Sequence, residues 1–280
     1  GPSRCDSDCN CPLERWTPTV LRNGGVMLKY IGLFKSFFKA SLISELEYRF
    51  NITVRLFTDV LWYAAQLSVF EVIFLHTKQL NGWAIEETRV FMGVLFVTDC
   101  LYMLFFSENL DRLGEKVRRG DLDLLLMKPV NSQWMLSCQK VSVAYLGNLL
   151  ISSGWLIFAL SRVSIDPWRI LYLLPMIPIG LILVYSIRFM TSATALYLTR
   201  ADAVTYIWYQ VYRLGTRPDT IYPTALRYAV LSVLPIAFLA SVPTQVILGR
   251  ATPFVLIYGA LLATLFLLAS RFVWHQGLKR

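Results

Sequence analysis

The sequence predicts an all-α, polytopic membrane protein with six transmembrane helices preceded by an amphipathic interfacial helix. Of the 280 residues, 56% are hydrophobic and 16% are charged, whereas soluble domains are about 45–50% apolar and about 25% charged. A soluble fold of this size could not cover so much apolar surface, so lipid is the expected solvent for most of the chain. The formal net charge is +9, but its arrangement in alternate loops predicts a membrane topology rather than nucleic-acid binding.

Residues 1–26 form a polar head that begins Gly-Pro-Ser, which is typical of the remnant of a cleaved tag. We expect a tail or cloning-derived segment that is disordered, with Met27 as the native start. Cys5, Cys9 and Cys11 lie close together there, but no histidine or fourth cysteine joins them at a usual metal-site spacing, so no metal is expected. No signal peptide follows Met27, which predicts a cytoplasmic amino end.

Residues 28–50 predict an amphipathic helix ahead of the first span. Its apolar side chains recur at helical spacing, and lysines fill the opposite side. The apolar positions are Leu33, Phe34, Phe37, Phe38, Leu42 and Leu46, and the lysines are Lys29, Lys35 and Lys39. Such a helix is expected to lie on an anionic leaflet with its lysines at the headgroups. Packing of the same helix against protein also accounts for the pattern.

Six apolar runs predict the spans of a single transmembrane domain over residues 27–280. Each is long enough to cross about 30 Å of hydrocarbon at about 1.5 Å per residue. The runs cover residues 52–75, 89–107, 134–160, 169–198, 226–248 and 254–273. Pro235 and Pro243 interrupt the fifth run, which is expected to divide into a spanning part and a short re-entrant or interfacial part.

Lysine and arginine are concentrated in alternate segments, and positive charge favours the cytoplasmic side of a membrane. The rich segments are the amino-terminal helix, the second-to-third loop, the fourth-to-fifth loop and the carboxyl end. Their cations are Lys29, Lys35, Lys39 and Arg49; Arg112, Lys116, Arg118, Arg119 and Lys128; Arg200, Arg213, Arg217 and Arg227; and Arg271, Lys279 and Arg280. Six spans bring all four segments to one side, which predicts that both termini are cytoplasmic.

Residues 108–133 are too polar to cross lipid and are far longer than a connection of about four to six residues. The loop mixes charges with an apolar stripe. The charges include Glu115, Arg118, Arg119, Asp121, Asp123 and Lys128, and the stripe is Leu122, Leu124, Leu125, Leu126 and Met127. Apolar side chains that fill a groove, with charges that fix the register, favour docking on another protein. A helix that rests on the membrane or on its own protein fits the residues equally well.

Charged residues inside predicted spans are costly in lipid, and each is therefore a candidate functional residue. Asp99 lies near the middle of the second span, Arg188 lies within the fourth, and Glu71 lies toward the outer end of the first. Asp99 and Arg188 either line a substrate path, form a structural pair that joins two helices, or make a subunit contact. Arg55 and Asp59 are four residues apart and can pair in the same way.

The motifs of the common catalytic sites are missing from the sequence. No glycine is followed by lysine, so the phosphate-binding loop G-x-x-x-x-G-K-[ST] is absent. The sequence also contains neither His-Glu-x-x-His nor Gly-x-Ser-x-Gly. We therefore predict that this chain is not an enzyme and binds no cofactor itself.

Several segments, in this order along the chain, carry a family likeness. They are ELEYRFN (45–51), NGW (81–83), ENL (108–110), VRRGDLDLLLMKPVNSQ (117–133), IYPTALR (221–227) and PIAFLASVPTQVILGR (235–250). With these segments the chain resembles the membrane (permease) subunits of bacterial ATP-binding-cassette exporters of the ABC type-2 class. The RRGDLD and KPVN stretch is the most specific of them.

The resemblance implies that the second-to-third loop is a coupling helix seated in a cleft of a cytosolic ATPase subunit. The coupling residues would be Val117, Arg118, Arg119, Gly120, Asp121, Leu122, Asp123, Leu124, Lys128 and Pro129. The partner ATPase would bind ATP and Mg, and a second permease, identical or homologous, would complete the translocation path. The bent region 235–250 would form short re-entrant helices at the outer face.

The expected location is the bacterial inner membrane, and the expected substrate is a small hydrophobic or amphipathic compound, drug-like or lipid-like. An ATP-independent channel or secondary transporter is the alternative, although such proteins often contain internal repeats that are not visible here. A membrane scaffold without transport activity is a further alternative, which the intramembrane charges at Asp99 and Arg188 disfavour.

Overall fold

The computed structural model describes residues 26–47, 49–128, 130–197 and 202–279, and every regular element within them is a helix. The chain forms α1 (Val26–Glu47), α2 (Arg49–His76), α3 (Ile85–Arg119), α4 (Asp121–Leu126), α5 (Ser132–Cys138), α6 (Tyr145–Ser161), α7 (Pro167–Leu196), α8 (Asp202–Tyr212), α9 (Thr224–Val233), α10 (Ser241–Ile247) and α11 (Phe254–Leu278). Short 3-10 turns at Arg213–Thr216, Asp219–Ile221 and Ile236–Leu239 connect the later helices.

Among the described residues, four helices are long and apolar enough to cross a bilayer: α2, α3, α7 and α11. They contain the first, second, fourth and sixth predicted spans. The α3 helix continues well past residue 107, so the first part of the predicted coupling loop is an extension of the second span. A π-turn at Met103–Ser107 interrupts its regular hydrogen bonding.

The third predicted span, 134–160, is not one helix. It is divided into α5 and α6, and residues 139–144 between them are not helical. The α6 helix has 17 residues, which corresponds to about 25 Å of length. The side chains that hold this interruption are described below.

The fifth predicted span, 226–248, also differs from the prediction, because its longest apolar helix is α9 with ten residues. Leu234 leaves the helical region with φ −126° and ψ 78°, as a residue that precedes proline commonly does. A 3-10 turn and α10 follow Pro235. Pro243 lies in the first turn of α10, where a proline needs no helical donor.

The long helix α3 defines two ends of the molecule, which we name the Trp83 end and the Gly120 end. The Arg89 guanidinium of α3 pairs with Glu71 of α2 at 2.7 Å, near the Trp83 end. The Trp274 indole of α11 donates to the Ser132 hydroxyl of α5 at 2.9 Å, near the Gly120 end. The α3 helix thus runs from the Trp83 end to the Gly120 end, α2 runs in the opposite direction, and α11 ends at the Gly120 end.

Residues 202–221 run along α3 from one end to the other. The Tyr209 hydroxyl donates to Asp111 at 3.0 Å, and the Tyr212 hydroxyl donates to Asp99 at 2.5 Å. Farther along, the Trp83 indole donates to the Thr220 hydroxyl at 2.9 Å. The segment that the sequence predicts as a cytoplasmic loop thus connects the Gly120 end to the Trp83 end.

Two arginines of that predicted loop change their expected place accordingly. Arg227 pairs with Asp219 at 2.8 Å, next to Thr220 at the Trp83 end. Arg217 lines a cavity together with Ile221 and Tyr222. This corrects the placement of these cations on the same side as Arg118. The sequence of α8 is typical of a surface helix. Its polar side chains are instead bound by residues that are distant along the chain, so the local pattern does not show that they are covered.

The interior is centred on α3, whose residues between Val90 and Cys100 are buried, whereas α2 and α11 expose apolar faces. Leu61, Leu75 and Val69 of α2, and Leu265 and Phe272 of α11, are exposed. Apolar residues on the outer faces of long helices are the arrangement expected for a protein dissolved in lipid.

Candidate functional site

An open cavity of about 960 Å³ lies between α2, α3 and the segment that follows α8. Aromatic side chains, two carboxylates and two arginines line it. The lining residues are Asp59, Trp62, Tyr63, Gln66, Val69, Phe70, Ile73, Leu80, Asp99, Met103, Tyr145, Tyr209, Tyr212, Arg213, Leu214, Thr216, Arg217, Ile221 and Tyr222. Its volume suits a drug-sized molecule.

Asp99 lines this cavity although only 8% of its surface is exposed. Its carboxylate accepts the Tyr212 hydroxyl at 2.5 Å. The Tyr212 ring stacks on Tyr102 with a centroid distance of 6.1 Å, which fixes the hydroxyl toward the aspartate. The carboxylate is therefore held by one neutral donor, and no ion pair of Asp99 occurs among the described residues.

Asp59 supplies the second carboxylate of the cavity wall. It accepts the Asn148 amide at 2.5 Å, whereas Arg55 donates to the Tyr145 hydroxyl at 3.0 Å and lies 4.4 Å from the centre of that ring. The structure therefore shows Arg55 and Asp59 bound to α6 and not paired with each other. The sequence pattern did not identify Tyr145 or Asn148 as site residues, because both lie in an apolar run.

Arg188 is fully buried, and it pairs with Asp111 rather than with Asp99. Its Nη2 atom lies 2.5 Å from Asp111 Oδ1, and the Tyr209 hydroxyl donates to the other oxygen of the same carboxylate. The guanidinium carbon also lies 5.9 Å from the centre of the Trp208 ring. The arginine thus joins α7, α3 and α8 at the Gly120 end, and it does not line the cavity.

Glu71 likewise lies outside the cavity lining. Its carboxylate pairs with Arg89 at 2.7 Å, and Arg89 also binds Glu86 at 2.7 Å. Of the three predicted path residues, the structure brings only Asp99 to the cavity.

The predicted coupling residues form a turn and a short helix at the Gly120 end. Gly120 ends α3 with φ 76°, a left-handed conformation that glycine adopts without a steric penalty. The α4 helix then has two faces. Leu122 and Leu125 are buried against residues such as Leu113, whereas Leu124 is 61% exposed and Met127 is 74% exposed.

The apolar stripe of the sequence is therefore divided, and only its outward half is available to a partner. Asp121 and Asp123 are exposed on the same short helix, beside the outward half of the stripe. Arg119 pairs with Glu115 one turn earlier on α3. Asn131 caps α5 by accepting the Trp134 amide at 3.1 Å, so the segment is anchored at both sides. Pro129, a predicted coupling residue, lies outside the described residues.

The three cysteines considered from the sequence as metal ligands belong to the polar segment 1–26. Cys5, Cys9 and Cys11 lie outside the described residues. Among the described residues no group of three or more His, Cys, Asp or Glu side chains could hold a metal ion.

Comparison with known proteins places this architecture in a family. A model of the ABC-2 family transporter proteins matches residues 60–280, which is most of the chain. Neither a curated protein nor a solved structure matches the chain. The match covers α3 with the turn at Gly120, the cavity residues on α3 and α8, and the interrupted region after α9. The chain therefore belongs to the ABC-2 family of transporters and is an ABC type-2 permease subunit.

Proposed function

We propose that this permease exports a hydrophobic or amphipathic compound and is driven by a separate ATPase that docks on α4. One observation carries the proposal: the α3 helix has Asp99 in the cavity wall and ends at Gly120 in a two-faced docking helix. A single long helix thus connects the proposed partner surface to a substrate-sized cavity. Movement of α4 would shift α3 and with it the wall that contains Asp99.

The outward face of α4 has the composition expected of a docking surface. Leu124 and Met127 expose apolar side chains where a soluble surface would normally be polar, and the exposed Asp121 and Asp123 lie beside them. An apolar centre with a charged rim is typical of a specific protein interface. We infer that the partner is a cytosolic ATP-binding-cassette subunit, which binds the ATP and Mg.

The proposed topology has six crossings, with the Gly120 end in the cytoplasm of a bacterial cell. The crossings are α2, α3, α5 with α6, α7, residues 202–221, and α11. This arrangement is supported by the hydrogen bonds that order residues 202–221 along α3. The α1 helix would lie at the cytoplasmic interface, and α9 with α10 would form re-entrant segments in the opposite half of the membrane.

The cavity wall favours a substrate with an aromatic body and a positive charge. Asp59 and Asp99 supply two carboxylates, and Trp62, Tyr63 and Tyr145 supply ring faces that attract cations. Arg213 and Arg217 also line the cavity, and they would bind a negatively charged or polar group of the substrate. A second permease, identical or homologous, would close the open side of the cavity.

An ATP-independent channel or secondary transporter remains the alternative, and the same carboxylates would suit it. The exposed apolar face of α4 favours the exporter, because a channel needs no docking helix at that position.

Co-purification tests the docking proposal directly. The tagged permease would be co-expressed with a candidate ATPase in three forms: native, Leu124→Glu and Leu46→Glu. Both leucines are exposed, but Leu46 lies on α1. We expect the Leu124→Glu form to lose the ATPase while the Leu46→Glu form retains it. Equal retention by all three forms would show that α4 is not the docking surface.

A further inference from the structure

The interruption between α5 and α6 is held open by side chains of other helices. The Lys140 amide donates to Asn109 Oδ1 at 2.9 Å, and the Val141 amide donates to Ser41 Oγ at 3.1 Å. The Ala144 amide donates to Glu45 Oε2 at 2.7 Å. Three backbone donors that a continuous helix would satisfy internally are thus satisfied by α1 and α3. We name residues 139–144, with these partners, the junction.

The π-turn of α3 supplies a further acceptor. The Ser142 amide donates to the Leu104 carbonyl at 3.0 Å, and Leu104 lies inside Met103–Ser107. A π-turn releases a carbonyl from the regular helical pattern, and such turns are frequent at functional sites. A carbonyl in the π-turn of α3 therefore accepts a backbone amide from the interruption in the third span.

Asn109 is the central residue of the junction and is only 4% exposed. Besides accepting the Lys140 amide, its Nδ2 group lies 2.9 Å from the Ser137 carbonyl and 2.7 Å from the Lys140 carbonyl. Its neighbour Glu108 accepts the Lys140 ammonium at 2.5 Å and the Ser142 hydroxyl at 2.7 Å. These bonds tie α3 to the end of α5 and to the interruption itself.

The local sequence does not require the interruption. Residues 139–144 contain neither glycine nor proline, which are the usual causes of a helix break. If Asn109, Ser41 and Glu45 withdrew, the same backbone groups could form ordinary helical hydrogen bonds. The α5 and α6 helices would then join into one. Such a continuous helix would satisfy the backbone amides of Lys140, Val141 and Ala144 internally.

The junction lies between the two proposed functional regions. Asn109 precedes Gly120 by eleven residues in the same helix, a distance of about 17 Å. On its other side, Tyr145 binds Arg55 at 3.0 Å and Asn148 binds Asp59 at 2.5 Å, and Tyr145 and Asp59 line the cavity. A continuous chain of contacts thus connects the docking turn with a cavity wall.

We propose that the junction is a switch that transmits movement of α4 to the cavity, and that Asn109, Ser41 and Glu45 are its positioning residues. In one state α5 and α6 are separate and bound to α1. In the other they form one helix, which carries Tyr145 and Asn148 away from Arg55 and Asp59. The link to ATP rests on the proposed function, whereas the two arrangements of residues 139–144 do not.

Distances between nitroxide labels would test the switch. Ile43 on α1 and Leu150 on α6 are exposed, and both would be changed to cysteine in a chain whose five native cysteines are serine. Pulsed electron resonance would compare the Ser41→Ala/Glu45→Ala form, which removes both acceptors, with the Ser44→Ala/Glu47→Ala form. Ser44 and Glu47 are exposed on the same helix and serve as the matched control.

We expect the first double variant to gain a second distance without nucleotide, with the population ratio changed about tenfold for each hydrogen bond lost. The control is expected to keep the native distance. In the complex with the ATPase, trapping with ATP and vanadate should produce the same second distance in the native chain. An unchanged distance in the first double variant would overturn the switch, whatever the ATPase does. A second distance in that variant, with no response to ATP, would uphold the two arrangements and contradict the link to the ATPase.

Discussion

The Tyr212 hydroxyl donates to the Asp99 carboxylate over 2.5 Å at the point where α8 crosses the middle of α3. This contact places a charge deep in the protein and at the same time turns it toward the cavity. A carboxylate at membrane depth is costly, and we propose on this ground that Asp99 binds the substrate.

Removal of this charge should reduce transport of an organic cation. We expect Asp99→Asn to lower tetraphenylphosphonium transport by the co-expressed complex about tenfold or more, because a bond to a charged group is replaced by a neutral one. Tyr212→Phe, which keeps the carboxylate, should have a smaller effect. Uptake of labelled tetraphenylphosphonium into inverted vesicles measures both. Equal uptake by native and Asp99→Asn forms would remove Asp99 from the substrate path.

The Arg188–Asp111 pair should act on stability rather than on substrate choice. Asp111→Asn leaves a fully buried guanidinium without its counter-charge, and loss of one partner of a buried pair costs about 3 kcal/mol. Thermal unfolding in detergent measures this loss.

Arg188→Met combined with Asp111→Leu removes both charges and is expected to restore much of the melting temperature. A double variant no more stable than Asp111→Asn would contradict this account of the pair.

We expect any side chain at position 120 to be unfavourable because of the left-handed backbone conformation, and not because of a steric clash. Nothing lies within 4 Å of a Cβ built there, but its φ is +76°. Gly120→Ala should cost about 1–2 kcal/mol at the turn and weaken retention of the ATPase. Gly154→Ala is the matched control, since its Cβ also meets open space and its backbone is helical. If the Gly120→Ala and Gly154→Ala forms retained the ATPase equally, the geometry of the turn would not be required for docking.

The position of residues 202–221 predicts the topology of the fourth-to-fifth segment. We expect Arg217→Cys to react with a membrane-impermeant maleimide added outside intact cells. Met127→Cys on α4 should react only after the cells are opened. Reaction of both cysteines from the same side of the membrane would contradict a membrane crossing by residues 202–221.

Four of the predicted spans correspond to long helices because each contains a long, predominantly apolar stretch with few charges. The break in the third span could not be predicted, since residues 139–144 are compatible with a helix and the residues that hold them apart, such as Ser41, are about one hundred positions away. The prolines of the fifth span did predict an interruption. Its extent depends on the contacts of Asp219 and Phe238, which no local pattern reveals.

The candidate site was predictable where a charge stands alone in an apolar run. Asp99 is such a residue, and it lines the cavity. Its partner Tyr212 and the Arg188 partner Asp111 lie in segments that appear in the sequence to be polar loops. The tyrosines of α8 are spaced three residues apart, at 206, 209 and 212, which places them on one helical face and is the one local signal of this contact.

ATP-dependent transport by the reconstituted complex tests the central claim most directly. The permease and its ATPase would be placed in proteoliposomes, and tetraphenylphosphonium uptake would be measured with ATP, with a non-hydrolysable analogue, and with the Leu124→Glu form. We predict uptake only with ATP and the native α4 helix. Uptake of the same size without ATP hydrolysis, or with the Leu124→Glu form, would contradict an exporter coupled through α4.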